Sequence, residues 1–293
     1  MESFGSVHTP DPARAKDHVT QTDPLRPNAW AGTIIGAGAL LLFFAGRVLL
    51  APLGIPGVGM AQWLFLALPI VVALQLGGFD PARSLALRPV ESRVLTGAGL
   101  VMFGALGLNS VVAWLQSFWV EIPVELVEAL NEALRPSGPL EFLTILTAVA
   151  LTPAVCEELV FRGVVLQSWH RWPAALAIGL NALLFGAIHW MPGSAFRVLP
   201  AAVSGGFIAW AVWRTRSLWV GIWMHLLNNG FLILAAMLLT TMEDAPAVQG
   251  MDPTGAEAPH PLAVILFVAL IAAGARLMGP ARNASDSIGE ASA

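Results

Sequence analysis

Eight apolar segments dominate this chain, and each is close to the length that crosses a lipid bilayer. A spanning helix needs about 20 mostly apolar residues. Only 12% of the 293 residues are charged, whereas about a quarter of a soluble domain is charged. The pattern predicts an all-α fold, a polytopic membrane helical bundle of about eight transmembrane helices. The segments are residues 28–54, 59–78, 94–117, 140–168, 173–191, 195–213, 217–240 and 261–277.

Segment 195–213 is the least regular of the eight. It contains Pro200 and the run "SGG". Proline removes a helical hydrogen bond and glycine weakens a helix interior. We expect either a full span or a short, re-entrant helix there.

The basic residues predict an orientation. With the N-terminus in the cytoplasm, eleven Arg and Lys residues fall on the cytoplasmic side, and Arg47, Arg135 and Arg197 fall on the other. Cytoplasmic loops are enriched in Lys and Arg. We therefore expect both termini in the cytoplasm and a multi-pass protein of a bacterial inner membrane. The eleven are Arg14, Lys16, Arg26, Arg83, Arg88, Arg93, Arg171, Arg214, Arg216, Arg276 and Arg282.

The polar segments divide the chain into three parts. We predict a polar cytoplasmic tail over residues 1–27 and the transmembrane domain over residues 28–278. A disordered tail, "GPARNASDSIGEASA", is predicted over residues 279–293. Between the third and fourth spans, "IPVELVEALNEALRPSG" predicts a short amphipathic helix. It would lie on the outer membrane surface or serve as a plain connector. Its apolar face carries Leu126, Leu130 and Leu134, and its polar face Glu125, Glu128 and Glu132.

Three charged residues lie deep inside the spans: Glu157, Glu158 and Arg162, in "EELVFR". Charges at such depth are rare and are functional by default. Glu158 and Arg162 are one helical turn apart, which predicts a structural ion pair. Glu157 lies about 100° away around the helix and has no local partner. Its isolation favours a general base, although a packing carboxylate bonded to another helix is the alternative.

Two histidines and one amide are also embedded: His189, His225 and Asn229. We expect His189 to hold an attacking water molecule or a metal that activates it. His225 and Asn229 are four residues apart, so both can donate hydrogen bonds to an oxyanion from one helix face. For each of the three, an ordinary hydrogen bond between helices is the competing interpretation.

Several protein classes are excluded. An intramembrane aspartyl protease needs two membrane aspartates, and the predicted spans contain none. A zinc protease of the H-E-x-x-H type is excluded because that motif is absent. No basic stripe suggests nucleic-acid binding. Cys156 is the only cysteine, so no disulfide forms within the chain.

Three motifs in order resemble those of the CPBP family of intramembrane proteases, which includes type II CAAX prenyl endopeptidases and bacteriocin-processing or immunity proteins. The family shows E-E-x-x-x-R, F-x-x-x-H and H-x-x-x-N. Here they are "EELVFR", "FGAIH" and "HLLNN", within about residues 140–236. The resemblance implies that Glu157 is the base, that His189 activates water, and that His225 and Asn229 stabilise the oxyanion. The resemblance is compatible with two mechanisms. In one, Glu157, His189 and His225 bind zinc, and in the other no metal takes part.

The resemblance also implies a substrate class. It indicates an endopeptidase acting on a membrane-associated peptide or lipidated protein, of which prenylated CAAX proteins are the best-known example. Its site would open to the cytoplasm or sideways to lipid, and its oligomeric state is open. Two other hypotheses stand beside it: a non-catalytic membrane scaffold or immunity protein on the same fold, and a proton-coupled transporter that uses Glu157 and the histidines as a relay.

Overall fold

The computed structural model describes residues 25–241 and 258–280, and these contain helices and no strand. The predicted all-α class is therefore confirmed for the described residues. The tails predicted at 1–27 and 279–293 lie mostly outside them. The α-helices are α1 (Ala29–Leu50), α2 (Gly54–Gln62), α3 (Leu68–Leu76), α4 (Pro81–Ser84), α5 (Ser92–Gln116), α6 (Val124–Ala133), α7 (Pro139–Ile145), α8 (Thr152–Glu158), α9 (Leu166–Ser168), α10 (Ala174–Ala187), α11 (Val198–Thr215), α12 (Leu218–Thr241) and α13 (Pro261–Leu277).

Helices α7, α8 and α9 form one continuous helix, Pro139–Ser168, here called the central helix. Two π-helical stretches join its parts, Leu146–Leu151 and Leu159–Val165. Pro153 lies in the first turn of α8, directly after the first stretch. Proline cannot donate a backbone hydrogen bond, and a wider π turn accommodates that loss without ending the helix. Glu157 and Glu158 therefore lie in one short α-helical segment between two wider ones.

Five helical stretches of the described residues are long and apolar enough to cross a membrane: Ala29–Leu76, Ser92–Gln116, Pro139–Ser168, Ala195–Thr215 and Leu218–Ala235. The first of them contains two predicted spans. The chain reverses at Gly54, where φ is 62°, a conformation that favours glycine. The Asp80 amide donates to the Leu25 carbonyl at 2.9 Å, so the two arms return to the same end of the bundle.

The number of spans stays a prediction, because two expected segments are short helices. They are α10, of 14 residues, and α13, of 17 residues. At 1.5 Å per residue, α10 rises about 21 Å, less than a hydrocarbon core of about 30 Å. The predicted span 173–191 is therefore too long. Segment 195–213 is instead a continuous helix that extends to Thr215.

Contacts between helices define two ends of the bundle. At one end, the Leu218 amide donates to the Ala86 carbonyl at 2.9 Å. At the other, the Gln116 side chain donates to the Phe196 carbonyl at 2.7 Å. We call the first the arginine-rich end and the second the opposite end. The arginine-rich end carries, among described residues, Arg26, Arg83, Arg88, Arg93, Arg171, Arg214, Arg216 and Arg276.

The predicted amphipathic helix is present as α6 and lies at the opposite end. Glu125, Glu128 and Glu132 are exposed along it, whereas Leu126 and Leu130 are half-buried. Just beyond it, Leu134 packs against a small core cluster formed by Ile145, Ala150 and Ile233. The C-terminal part of the connection between α5 and the central helix is thus packed against the central helix and α12.

Candidate active site

The central helix carries a fully buried ion pair. Arg162 Nη1 donates to Glu158 Oε1 at 2.8 Å, and both residues are 0% exposed. Arg162 Nη2 donates to the Gly205 carbonyl of α11, also at 2.8 Å. The pair predicted from the four-residue spacing is present in the structure, and it also ties the central helix to α11.

An aromatic side chain from α10 packs against this arginine. The Phe185 ring centroid lies 4.3 Å from Arg162 Cζ, within the range of a cation–π contact. The same ring contacts the His189 ring at 4.9 Å and the His225 ring at 5.6 Å between centroids. Phe185 therefore separates the arginine from two imidazoles and holds all three in place.

His225, on α12, lies between the two glutamates. Its Nδ1 is 2.9 Å from Glu158 Oε1, and its Nε2 is 4.0 Å from Glu157 Oε2. Because a carboxylate only accepts hydrogen bonds, Nδ1 carries a proton and donates it. The sequence predicted that His225 donates to an oxyanion, with a hydrogen bond between helices as the competing interpretation. In the structure one of its nitrogens is bonded to Glu158, because α12 packs directly against α8.

Glu157 differs from its neighbour in having no short contact with Arg162 or His225; its nearest charged partner is His225 Nε2 at 4.0 Å. Its side chain is 11% exposed, and its Oε2 atom has no hydrogen-bond partner among the described residues. Two carboxylates face one arginine here, and an uncompensated charge away from water is costly. The geometry is compatible with a general base at Glu157.

His189 lies just past the end of α10 and is half-buried. Its Nδ1 is 2.8 Å from the Phe185 carbonyl, so Nδ1 is the donor and Nε2 of the neutral ring is an acceptor. It lies within electrostatic range of Glu157 and His225. No hydrogen bond among the described residues joins it to either, so the fold brings His189 near the glutamate without direct contact.

Asn229 is one turn beyond His225 on α12 and is held on both sides. Its Nδ2 donates to the Val149 carbonyl of the central helix at 3.1 Å, and its Oδ1 accepts from Asn228 Nδ2 at 2.9 Å. An amide nitrogen carries two protons. The expected bond between helices thus uses one proton, and the second stays available to a ligand.

The possible zinc ligands do not form a complete site. Within the described ranges, no three His, Cys, Asp or Glu side chains gather as metal ligands. Glu157 Oε2 and His225 Nε2 face each other at 4.0 Å, but His189 does not complete the set. The donors as placed do not fit tetrahedral zinc, which takes at least three protein ligands.

A cavity of about 550 Å³ opens between α2 and the central helix. Its lining is mostly apolar, with Met60 and Trp63 on one wall and Leu143 and Thr147 on the other. The buried side chain of Thr152, five residues before Glu157, also lines it. The sequence offered no signal for this cavity, because it depends on how two distant helices approach.

Two glycines close to the ion pair were also missed by sequence reasoning. A Cβ atom on Gly205 would lie 2.7 Å from Phe185 Cδ1 and 3.0 Å from Arg162 Nη2. A Cβ atom on Gly221 would lie 2.7 Å from Glu158 Oε2. Real Cβ contacts are longer, so both positions need glycine. The run "SGG" could have directed attention to Gly205 but does not distinguish it from Gly206.

Gly205→Ala is expected to destabilise the protein, since the added methyl displaces Phe185 or the guanidinium of Arg162. Overpacking of this kind costs about 1–3 kcal/mol. Gly206→Ala is the matched control, because its Cβ would lie at an ordinary 3.5 Å from Ala182 Cβ. Thermal unfolding in detergent compares the two. Equal melting temperatures would contradict the tight packing at Gly205.

Comparison with known families agrees with the motifs. Residues 139–231 match the sequence model of the type II CAAX prenyl endopeptidase Rce1-like family. The resemblance predicted over about 140–236 is thereby confirmed. No curated protein and no solved structure matches the chain. The chain is an integral membrane protein, and it carries an Rce1-like domain that contains every candidate site residue described above.

Proposed function

We propose that the Rce1-like domain makes this chain an intramembrane endopeptidase, which hydrolyses a peptide bond of a membrane-associated peptide or lipidated protein. The observation that supports this proposal is a difference between two adjacent glutamates. Glu158 is bonded to Arg162 and His225 through Oε1, whereas Glu157 has no short bond to either, with His225 Nε2 4.0 Å from its Oε2. One carboxylate is structural, and the other is free to react.

In the first step, Glu157 removes a proton from a water molecule as the water oxygen bonds to the peptide carbonyl carbon. His189 Nε2, the acceptor nitrogen of that ring, orients the water through its second proton. Electrons of the C=O bond move to the oxygen and form a tetrahedral oxyanion. This division of labour suits a half-buried imidazole that lies near Glu157 without binding it.

In the second step, the remaining N–H of Asn229 donates to the oxyanion. Preorganised donors of this type stabilise such charge strongly in a site that excludes water. His225 donates through Nδ1 to Glu158 and directs Nε2 towards Glu157, so it positions both carboxylates. The proton on Glu157 then passes to the leaving amide nitrogen, the C–N bond breaks, and the products are a carboxylic acid and an amine.

The apolar cavity beside the central helix gives the substrate a route from lipid. Its walls carry Met60, Trp63 and Leu143, which suit an acyl or prenyl chain or an apolar peptide segment. Thr152, one of the lining residues, is within two helical turns of Glu157 along the central helix. A prenylated CAAX-type peptide is therefore a suitable first substrate to test.

The proposed mechanism takes no step through a metal, because the described donors do not form a zinc site. We expect a strong zinc chelator to leave the cleavage rate of purified protein unchanged. The assay uses a quenched prenylated CAAX peptide in detergent or lipid, with and without chelator. Loss of activity that added zinc restores would instead make Glu157, His189 and His225 metal ligands.

The same assay tests the function itself. Cleavage by wild-type protein supports the endopeptidase, and product mass locates the bond. An unlipidated peptide of the same sequence serves as the matched substrate and shows whether the lipid matters. If neither peptide is cut, nor a set of unrelated membrane peptides, a non-catalytic scaffold becomes the better explanation.

A further inference from the structure

Three polar side chains of the apolar helices take no part in the mechanism above: Arg47 on α1, Gln62 on α2 and Arg197 just before α11. Arg47 and Gln62 precede the Rce1-like match, which begins at residue 139. Arg47 and Arg197 are half-buried, and Gln62 is only 4% exposed. Because polar groups inside a bilayer are costly and mark functional sites by default, the surroundings of all three indicate what they bind.

Helix α1 packs along the central helix in the opposite direction. A Cβ atom on Gly32 would overlap the Ser168 side chain, and a Cβ atom on Gly36 would meet the Val165 side chain. As the chain advances along α1, the contact thus moves back along the central helix. The absence of side chains at the two glycines lets the two helices approach closely.

This packing brings Arg47 to the level of Glu157. Phe43 is eleven residues beyond Gly32, and Glu157 is eleven residues before Ser168. Both therefore lie about 17 Å along their helices from the contact that Gly32 makes with Ser168. Arg47 turns back over Phe43, with its Cζ 5.7 Å from the ring centroid. The guanidinium of Arg47 thus lies near the depth of the catalytic glutamate.

The packing of α2 on α1 gives Gln62 a similar depth. A Cβ atom on Gly46 would overlap the Phe65 ring, so these two residues face each other. Towards the reversal at Gly54, Arg47 is one residue beyond Gly46, and Gln62 is three residues before Phe65. The two side chains therefore start within about one helical turn of each other in depth.

Gln62 lies on the face of α2 that meets the central helix. Gly59 shares this face, and its Cβ atom would lie 3.3 Å from Ala148 Cβ and 3.9 Å from Thr152 Oγ1. The stretch that follows Gln62, Trp63–Ala67, contacts α8. Gln62 Oε1 is buried and has no hydrogen-bond partner among the described residues. A buried acceptor of this kind requires a donor, and the N–H of a bound peptide supplies one.

Arg197 adds a second guanidinium to this group. It lies within electrostatic range of both Arg47 and Glu157. Neither Arg47 nor Arg197 forms an ion pair with a carboxylate of the described residues. Arg162 already pairs with the other glutamate of the site, so two guanidiniums stand beside one carboxylate. The excess positive charge favours an anionic ligand.

We propose that Arg47, Arg197 and Gln62 bind the C-terminal residue of the substrate. The two guanidiniums bind its carboxylate, since arginine pairs with carboxylates through parallel hydrogen bonds, and Gln62 Oε1 accepts its amide N–H. This inference rests on the proposed function and narrows the substrate class to peptides cut a few residues from a free C-terminus, because each extended residue spans only about 3.4 Å. A prenylated CAAX-type peptide meets that requirement.

Two quenched prenylated peptides of one sequence test the carboxylate, one ending in a free carboxylate and the other in an amide. We expect wild-type protein to cleave the first with a kcat/KM about 10- to 100-fold higher, as for hydrogen bonds to a charged group. Arg47→Gln and Arg197→Gln should bring this ratio towards one. Arg135→Gln is the matched control and should keep the wild-type ratio, because Arg135 is exposed and pairs with Glu132.

The ratio separates substrate binding from mere support of Glu157. If the arginines only compensate the charge of Glu157, each variant slows both peptides equally and the ratio stays at the wild-type value, which overturns the proposal. A wild-type ratio of one overturns it as well. Where a glutamine variant gives no monodisperse protein by gel filtration, Arg47→Met or Arg197→Met replaces it with the same expectation.

Gln62→Leu tests the amide of the same site. We expect cleavage of both peptides to fall about three- to tenfold, the effect of one hydrogen bond, with the ratio between them unchanged. The melting temperature should not fall, because leucine leaves no buried acceptor unpaired. Gln116→Leu is the matched variant and should lose stability, since Gln116 donates to the Phe196 carbonyl. Unchanged cleavage by Gln62→Leu would remove Gln62 from the site.

Binding without cleavage separates this inference from the proposed function. Glu157→Gln is titrated in detergent with fluorescent versions of the two peptides. Tighter binding of the carboxylate peptide, lost when Arg197→Gln is added, supports the site even if no peptide is ever cut and the proposed function fails. Equal binding of the two peptides overturns it. Displacement of both peptides by phosphatidylglycerol with no preference between them would assign the arginines to a lipid headgroup instead.

Discussion

Glu157→Gln is expected to abolish peptide cleavage, with a loss of at least about 100-fold, the lower bound for removal of a general base. Glutamine has nearly the same shape but cannot take a proton from water. The substitution leaves the ion pair of Arg162 intact, because Glu158 rather than Glu157 is bonded to that arginine. The variant should therefore stay folded and extractable. Cleavage of the quenched peptide and thermal unfolding in detergent measure the two effects.

Glu141→Gln is the matched control for this variant. Glu141 lies on the same helix but is exposed, and its carboxylate bonds only to Ser137 among the described residues. We expect wild-type cleavage from it. Full activity of Glu157→Gln would show that another group activates the water, and the proposed mechanism would be wrong.

The spacing of charges in "EELVFR" was enough to predict which glutamate is paired. Residues four apart share a helix face, and this relation holds even though a π turn begins at Leu159. The identity of the third partner was out of reach. His225 reaches Glu158 only because α12 packs against α8 in one particular register, and a single sequence carries no information about the register between distant helices.

Helix length was predicted less well than helix position. Apolar composition continues through Ile188 to Met191, so the pattern extended the fifth span to residue 191. In the structure α10 ends at Ala187, and the following turn is held by Ser194, whose hydroxyl accepts from the Met191 amide. Amino-acid composition indicates whether a segment lies in lipid or in water, whereas the residue at which a helix ends depends on local hydrogen bonds.

The burial of the connection after α4 illustrates a different limit. Leu85 and Ala86 lie in a segment that the sequence predicted as an ordinary cytoplasmic connection. Their burial depends on contacts with residues about 80 and 130 positions further along the chain. Sequence periodicity describes neighbours along one element, so it cannot reveal that a connecting segment packs against distant helices.

Arg162→Ala is expected to lower stability severely, by about 3–5 kcal/mol, the usual effect of leaving one member of a buried ion pair uncompensated. Both partners are fully buried, and the guanidinium also donates to the Gly205 carbonyl and packs against Phe185. The substitution removes all three contacts. The yield of monodisperse protein and the melting temperature in detergent measure the loss.

Arg93→Ala is the control, because Arg93 forms an exposed pair with Glu91 at 3.5 Å and such pairs contribute at most about 1 kcal/mol. The double variant Glu158→Gln with Arg162→Met separates charge from packing. It removes both charges of the pair together and keeps an acceptor for His225, so it should recover part of the stability lost by Arg162→Ala. Equal stability of Arg162→Ala and Arg93→Ala would mean that Glu158 takes its compensation from His225 alone. The structural role assigned to the Glu158–Arg162 pair would then be wrong, and the division between structural and catalytic glutamates would fail.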